Sequence, residues 1–338
     1  MMKAGTIEVE VAPLETGLPG VTLGGYDLRT ASGPHAATIG STGELAPSRF
    51  ADYVELTKPR IAVMALFTVG VGYLLGAAEQ GINLVVLFHT LLGAGLVAAG
   101  GSALNQWWER SIDARMWRTM KRPLPAGRLT PTDALVFGVG LGLIGLVYLF
   151  AIVSVAAGVA AAVTFVSYVA IYTPLKTLTV WNTVVGAVPG ALPPVIGWAA
   201  ARGWDRPAGA VALFLIIFIW QIPHFLAIAW MYRADYARGG LKMLPHIDPT
   251  GGRTAAVMVL TCASLISVGV VCVGLGVGGW LSVAGCAVFG AAFLREAVRF
   301  DRTRTDRQAR KVLRASLLYL PGALGLLLID GLLPLLRG

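Results

Sequence analysis

The stretch NLVVLFHTLLGAGLVAAGGSAL, residues 83–104, runs for 22 residues without an Asp, Glu, Lys or Arg. An apolar run of about 20 residues is long enough to cross a bilayer as a helix. It leads directly into NQWWERSIDARMWRTMKRPLP, residues 105–125, which holds two acids, five cations and three tryptophans. The junction therefore predicts a membrane helix that carries its polar chemistry at one end.

The composition of the whole chain points to a lipid environment. Of its 338 residues, 56% are hydrophobic and 13% are charged, and the mean hydropathy is +0.71. Soluble domains carry roughly 25% charged residues. The net charge of +9 is typical of membrane-protein loops beside anionic lipid. No basic stretch lies on a soluble module, which argues against nucleic-acid binding. The three cysteines form no CxxC pair, which argues against disulfides and zinc.

Hydrophobic runs predict an all-α, polytopic bundle of nine transmembrane helices. The predicted spans lie near 57–78, 83–104, 132–152, 154–172, 181–199, 208–230, 255–276, 278–295 and 314–334. The junctions near 153 and 277 are short, so the helices that they join should form tight antiparallel hairpins.

The distribution of cations supports nine spans with a cytoplasmic N-terminus. With that topology the loops rich in Lys and Arg all lie on one side, and the opposite loops hold only Arg202 and Arg206 as cations. Because Lys and Arg favour the cytoplasmic side, we expect a multi-pass protein of the cytoplasmic membrane. Residues 1–48 are rich in Gly, Thr, Ser and Pro and predict a disordered cytoplasmic tail before a membrane domain over 49–338.

Three polar residues at the end of the second span have the spacing of a metal site. Asn105, Glu109 and Asp113 stand at i, i+4 and i+8, which places them along one helical face. Mg²⁺ typically takes one or two carboxylates together with phosphate oxygens and water. A solvated helix end stabilised by acid–base pairs is the alternative for this stretch taken alone.

Two further stretches on the same predicted side strengthen the metal interpretation. YRADYARGGLKMLP, residues 232–245, again places an acid, Asp235, before cations, and YTPLKTLTVWN, residues 172–182, contributes Tyr172 and Lys176. Cations beside a bound metal can bind the remaining oxygens of a diphosphate. Lys176 could equally serve only to orient its helix pair. The pattern predicts a divalent ion and a diphosphate held between two loops.

The chain resembles the UbiA-type intramembrane prenyltransferases, and within them the branch that prenylates haem. The resemblance runs from about residue 50 to 335 and rests on five segments. They are LTKPRI (56–61), NQWWERSIDARMWRTMKRPLPAGRL (105–129), YTPLKTLTVWNTVVGAVPGALPPVIGWAA (172–200), QIPHFLAIAW (221–230) and DYARGGLKMLP (235–245).

The resemblance implies a nine-helix bundle around a cavity, with Mg²⁺ as cofactor and farnesyl diphosphate and haem b as substrates. The implied product is haem O, a haem with a hydroxyethylfarnesyl group that terminal oxidases use. Contact with haem A synthase or with oxidase assembly proteins is a further expectation. Two departures stand out: Glu109 and Ser111 occupy positions where the family often has Asp, and Gly239 stands four residues after Asp235, where many members have a second Asp.

The resulting hypothesis gives each candidate residue a role. The metal ligands and catalytic residues are Asn105, Glu109, Asp113 and Asp235. The diphosphate-binding cations are Lys58, Arg60, Lys121, Arg122 and Lys176. The aromatic residues expected to stabilise an allylic cation are Trp107, Trp108, Tyr172 and Tyr236.

The histidines leave alternatives open. His224 interrupts the sixth span, where a polar residue is costly and a functional candidate, and the resemblance suggests a haem contact. Its imidazole could instead satisfy a carbonyl freed by Pro223. His89 is open between helix packing and a haem contact, and His246 is expected to be a solvated loop residue.

Two other functions compete with haem prenylation. A related prenyltransferase could act on an aromatic quinone precursor and would share the diphosphate site. A secondary transporter would place acids near the bilayer midplane, whereas the acids here gather at one membrane face. The segments 172–200 and 221–230 favour the haem branch.

Overall fold

The computed structural model describes residues 48–337, with side chains described to residue 333; the predicted disordered tail over 1–48 lies almost wholly outside these residues. Within them every regular element is helical. The helices are α1 (Arg49–Leu56), α2 (Pro59–Ala77), α3 (Leu84–Asp113), α4 (Pro131–Tyr148), α5 (Val155–Val166), α6 (Thr173–Leu178), α7 (Asn182–Ala191), α8 (Pro193–Arg202), α9 (Ala208–Met231), α10 (Arg233–Gly239), α11 (Leu244–Ile247), α12 (Gly252–Gly274), α13 (Trp280–Thr303) and α14 (Asp306–Arg337).

Nine segments of the described chain are long and apolar enough to span a membrane, as predicted. Two of them contain π-helical turns, Leu149–Val153 after α4 and Ser167–Tyr172 before α6. The nine spans are α2, α3, α4 with its π turn, α5 through α6, α7 with α8, α9, α12, α13 and α14.

Several predicted boundaries were wrong, each for a physical reason. The loop expected over 173–180 is helical to Leu178, because the span that begins at Val155 continues through the π-helical turn Ser167–Tyr172 directly into α6. The fifth span is two helices that meet at Leu192, before Pro193. Charged helix formers extend α13 to Thr303 and start α14 at Asp306, so most of the loop expected over 296–313 is helix.

Small residues let neighbouring helices approach closely. A Cβ added to Gly100 of α3 would lie 2.5 Å from the backbone nitrogen of Gly142 in α4. A Cβ on Gly72 of α2 would lie 2.0 Å from the carbonyl oxygen of Pro194 in α8. Backbone-to-backbone packing at small residues is typical of membrane helices, which gain little from hydrophobic burial against each other.

Helix α9 lies in the interior of the bundle. None of its residues from Ala212 to Trp230 is exposed, whereas α4 and α12 each present exposed apolar side chains along their length. It packs against α7, α12 and α14. Polar side chains on α9 therefore face other helices or internal space rather than lipid.

Candidate active site

The last three turns of α3 carry a row of buried polar side chains. Asn105, Glu109 and Asp113 are 1%, 6% and 1% exposed. Each is one helical turn, or about 6 Å, from the next. The predicted extension of the apolar helix into this motif is confirmed, since α3 continues to Asp113. Burying two carboxylates so fully requires charged or hydrogen-bonding partners.

Three cations from separate parts of the chain supply those partners. Each cation contacts a different member of the row. The contacts are Lys58 Nζ to Asn105 Oδ1 at 2.7 Å, Lys176 Nζ to Glu109 Oε1 at 2.6 Å, and Arg122 to Asp113 Oδ2 at 2.6 Å. Asn105 also donates from Nδ2 to the Thr173 hydroxyl at 3.2 Å. We call these six residues, three ligand-type groups and three cations, the polar row.

The polar row holds one more positive charge than negative. Its two carboxylates face two ammonium groups and a guanidinium, which gives a formal charge of +1 with Lys58 protonated. Burial, reinforced by the nearby Arg122 charge, lowers the pKa of Lys58 to about 7. An added polyanion with a divalent cation would bring this region close to neutrality.

One carboxylate oxygen in the polar row has no partner among the residues that the structure describes. Asp113 Oδ1 is buried and accepts no hydrogen bond from residues 48–333, while Oδ2 is paired with Arg122. An unsatisfied buried carboxylate oxygen is costly and points to a missing cation or donor. Among the described residues no three His, Cys, Asp or Glu side chains cluster tightly enough to hold a metal alone. Mg²⁺ needs fewer protein carboxylates when phosphate oxygens complete its shell, so the row fits that ion.

The second acidic loop holds the first one in place. Asp235 Oδ1 accepts from the backbone N–H of Trp117 and Oδ2 from that of Arg118, both at 3.2 Å. Arg238 pairs with the same carboxylate, and Asp235 is only 8% exposed. The structure thus gives the predicted metal ligand Asp235 a full set of protein partners. Its contacts tether the segment that carries Arg122.

Two of the predicted diphosphate-binding cations lie outside the polar row. The side chains of Arg60 and Lys121 are exposed, and neither forms an ion pair with a described acid. A different cation, Arg128, anchors the loop by binding Asp52 at 2.7 Å and Glu55 at 2.9 Å. The row therefore brings together Lys58, Arg122 and Lys176 of the five predicted cations.

An aromatic ring lies close to one of the cations of the polar row. Lys176 Nζ is 4.6 Å from the centre of the Tyr172 ring, which lies 5.8 Å from the ring of Tyr168. Tyr236 is buried under Arg118, and burial raises the pKa of its phenol, so it stays neutral. Trp108 is 45% exposed and contacts Trp107 edge-on at 6.1 Å. Tyr172 thus contacts a cation of the polar row, and Tyr236 contacts Arg118 in the segment that carries Arg122.

Sequence reasoning missed Thr173 and Tyr168. Thr173 fixes the amide of Asn105 although it lies 68 residues away along the chain, and nothing in the local sequence marks that contact. Tyr168 stands four residues before Tyr172, and this helical spacing is a signal that could have found it.

The histidines of the spans have distinct partners. His224 Nδ1 lies 2.7 Å from the Ser316 hydroxyl on α14, and the Trp220 ring packs against the imidazole. His89 Nδ1 lies 2.5 Å from the Tyr148 hydroxyl, near the opposite end of α3 from the polar row. This contact joins α3 to α4 and favours the packing interpretation of His89.

Comparison with known proteins places this architecture in a family. The model of the UbiA prenyltransferase family matches residues 65–318, most of the chain. This chain belongs to the UbiA prenyltransferase family. It is 47% identical to a protohaem IX farnesyltransferase of Solibacter usitatus over 82% of this chain and 98% of that one. A mitochondrial protohaem IX farnesyltransferase of Arabidopsis thaliana is 40% identical over 80% of this chain and 62% of its own length.

Solved structures of other proteins share the fold at low sequence identity. A digeranylgeranylglyceryl phosphate synthase superposes with a TM-score of 0.68 at 16% identity, covering 84% of this chain and 99% of that one. A UbiA homologue from Archaeoglobus fulgidus, bound to DMAPP and Mg²⁺, superposes with a TM-score of 0.55 at 14% identity over 82% of this chain and 99% of its own. The predicted all-α membrane bundle is confirmed.

Proposed function

We propose that this UbiA-family protein transfers the farnesyl group of farnesyl diphosphate to a vinyl group of protohaem IX and so forms haem O. The observation that carries the proposal is the polar row, in which a buried, half-satisfied acid stands among three cations. The choice of acceptor rests on relatives named protohaem IX farnesyltransferase, one of which is 47% identical over 98% of its length.

Mg²⁺ is the proposed cofactor, as in the A. fulgidus homologue solved with Mg²⁺ and a prenyl diphosphate. Asn105, Glu109 and Asp113 would hold it, with the free Oδ1 of Asp113 as the first ligand. Bound there, the ion would offset the negative charge that grows on the diphosphate as it leaves. Assignment of Asp235 to the same metal stays a prediction, since its present contacts favour a positioning role.

The three cations of the polar row bind and orient the diphosphate. Arg122 offers a planar, two-pronged donor group, whereas Lys58 and Lys176 act as compact charges. Because they are already held in place by Asp113, Asn105 and Glu109, little reorganisation is needed when the leaving group develops charge. Arg60 and Lys121, which are exposed, would act at the entrance rather than at the reacting atoms.

Breaking the bond between C1 of the prenyl chain and the diphosphate oxygen leaves an allylic cation. The faces of Tyr172 and Tyr236, with the half-exposed Trp108, are the candidates to stabilise it. The vinyl group of haem attacks this cation, and the new carbocation takes up water and loses a proton. The balance is farnesyl diphosphate, haem b and water giving haem O, diphosphate and a proton.

His224 is the proposed haem contact. It is half-buried in α9, the helix with no exposed residue between Ala212 and Trp230, so it faces the interior of the bundle. Its Nδ1 bonds to Ser316 and not to a backbone carbonyl of α9, which speaks against the alternative that it satisfies a carbonyl freed by Pro223.

The protein is a multi-pass membrane protein. We place the polar row at the cytoplasmic face of the cell membrane because the cation-rich loops share that end of the bundle. Haem b and farnesyl diphosphate are the proposed small-molecule partners. Haem A synthase and oxidase assembly proteins remain proposed protein partners.

The test is a reconstituted reaction. Purified protein in nanodiscs is incubated with haem b, farnesyl diphosphate and Mg²⁺, and the extracted pigments are read by mass spectrometry. Haem O is expected with Mg²⁺ and not with EDTA. A parallel reaction replaces haem b with an aromatic quinone precursor. Prenylation of the quinone precursor, without prenylation of haem b, would overturn the proposed acceptor but not the proposed diphosphate site.

A further inference from the structure

Ser316 of α14 carries a buried hydroxyl that makes two short contacts. Its Oγ lies 2.6 Å from the carbonyl oxygen of Leu313, in the preceding turn of the same helix. It also lies 2.7 Å from Nδ1 of His224 on α9. Ser316 is 0% exposed, so no solvent water competes for either contact.

The position of one proton decides the chemical form of His224. Two oxygen atoms 2.6 Å apart must share a proton, and the carbonyl of Leu313 has none to give. The single hydroxyl proton of Ser316 therefore points to Leu313, and its Oγ can only accept from the imidazole. His224 Nδ1 must carry the hydrogen. In a neutral imidazole the other nitrogen, Nε2, then has a free lone pair.

Trp220 adds a second constraint on the same ring. Its indole N–H donates to the backbone carbonyl of Ser316 at 2.7 Å. Its ring centre lies 4.9 Å from that of His224, at an interplanar angle of 31°. The indole fixes the plane of the imidazole, and the hydroxyl fixes its tautomer. Two contacts from α9 to one residue of α14 thus control a single side chain.

The second ring nitrogen of His224 has no partner within the described part of the protein. Nε2 of His224 makes no hydrogen bond to any described residue, and the imidazole is half-buried in an interior helix. An imidazole that donates from one nitrogen to a neighbouring acceptor and leaves the other bare is the arrangement found in metal-binding histidines. The acceptor that we propose for this enzyme, haem b, brings an iron atom.

We propose that Ser316 is a positioning residue that holds His224 with a bare Nε2, ready to bind the haem iron as an axial ligand. This inference rests on the proposed haem acceptor. His224 stands seven residues before the end of α9, so it lies about 10 Å along the helix from that end. The iron would thus sit within the bundle rather than at the end of α9.

The tautomer can be measured without haem. The chain has four histidines, so ¹⁵N-histidine labelling gives few signals, and the His224→Gln variant assigns the one of interest. We expect the wild-type spectrum of ligand-free protein to show His224 with a hydrogen on Nδ1 and none on Nε2. A hydrogen on Nε2 would overturn the proposal at once.

Haem binding tests the consequence. Ferric haem b is titrated into wild type, Ser316→Ala, Ser316→Thr and Ser264→Ala, and its absorption and electron paramagnetic resonance spectra report the axial ligand. Ser264 is the matched control, since its hydroxyl bonds to a carbonyl of its own helix on an exposed face. Loss of an outer hydrogen bond to a metal-binding histidine typically costs ten- to a hundredfold in affinity.

We expect Ser316→Ala to weaken haem binding at least about tenfold and to change the iron spectrum, as His224→Gln should. Ser316→Thr, which keeps the hydroxyl, and Ser264→Ala should resemble wild type. Normal haem O synthesis with a Ser316→Ala spectrum identical to wild type would overturn this inference alone. Failure of folded wild-type protein to bind haem at all would overturn the proposed acceptor as well.

Discussion

The two acid-and-cation loops at the same end of the bundle look alike in sequence and differ in structure. In the first, Asp113 has one oxygen paired with Arg122 and the other buried with no partner in the described part of the chain. In the second, both oxygens of Asp235 are occupied, by backbone N–H groups of Trp117 and Arg118 and by Arg238. An acid followed by cations therefore describes two arrangements, one with an open ligand position and one that is closed.

The difference suggests that the two acids have different roles, metal binding for Asp113 and positioning for Asp235. The open acid is suited to take up a metal with its substrate, because its unsatisfied oxygen gains a partner on binding. The closed acid holds the segment 114–130, which carries Arg122, against α10. Loss of the Asp113 charge should therefore abolish farnesyl transfer, whereas loss of the Asp235 charge should loosen the segment 114–130.

The largest effect is expected from Asp113→Asn. The substitution keeps the shape but removes the charge at the open ligand position, and transfer should fall by about 10³-fold or more. Haem O formation measures transfer, and size-exclusion chromatography with thermal melting checks the fold. Asp306→Asn is the control, since that acid is half-exposed at the same end and pairs with Arg233. Turnover above a tenth of wild type in Asp113→Asn would contradict the distinction between the open acid Asp113 and the closed acid Asp235.

The next effect concerns the pair of Lys176 and Glu109, which lie 2.6 Å apart and are largely buried. Lys176→Met leaves a buried, unpaired carboxylate and should cost about 3–5 kcal/mol of stability. Glu109→Gln added to it removes that charge and should recover most of the stability. Transfer should stay at least about a hundredfold low in both, because the cation for the diphosphate is missing in both and the double variant also lacks a proposed metal ligand. Recovery of transfer in the double variant would contradict the role of Lys176.

Asp235→Asn is expected to have a smaller effect than Asp113→Asn. The amide keeps one acceptor oxygen, so the tether of segment 114–130 weakens but is not lost. Transfer should fall roughly tenfold and protease cleavage within the segment should increase, while the affinity for Mn²⁺ with a diphosphate analogue changes little. A loss of Mn²⁺ affinity equal to that in Asp113→Asn would instead make Asp235 a direct metal ligand.

The smallest effect is a pH dependence of binding at Lys58. Burial beside Arg122 lowers the pKa of its ammonium to about 7, so in the free protein Lys58 is charged below that pH and neutral above it. A diphosphate favours the charged form. Its affinity should therefore fall as the pH rises above 7, by about fivefold between pH 7 and pH 8.

Lys58→Arg supplies the matched control, because a guanidinium stays charged over this range. Binding of an unreactive farnesyl diphosphate analogue is measured from pH 6 to 9 in both proteins. Ionisation of the analogue affects both equally, so the difference in slope isolates Lys58. Equal slopes would contradict the lowered pKa as the cause.

Hydropathy predicted the number of spans well and their ends poorly. It reports which residues tolerate lipid, so all nine apolar segments were found. Helices, however, extend beyond the lipid wherever charged residues with good helix propensity follow, as at the start of α14 over 306–313. The end of α3 was predicted correctly because Asn105, Glu109 and Asp113 repeat every four residues, a helical signal independent of hydropathy.

The composition of the site was predictable, but its pairings were not. The motifs named the three ligand-type residues of the polar row and all three of its cations. Which cation meets which ligand depends on packing between segments 47 and 67 residues apart, as for Lys58 with Asn105 and Lys176 with Glu109. The tether made by Asp235 and the hydroxyl of Ser316 likewise arise from contacts between distant helices.

The most direct test of the central claim is the reconstituted reaction carried out side by side with wild type and Asp113→Asn. Both proteins receive haem b, farnesyl diphosphate and Mg²⁺, and the pigments are analysed by mass spectrometry. The account predicts haem O from wild type, none with EDTA, and almost none from the folded variant. Unchanged haem b with active, folded wild-type protein, or equal haem O from Asp113→Asn, would contradict it.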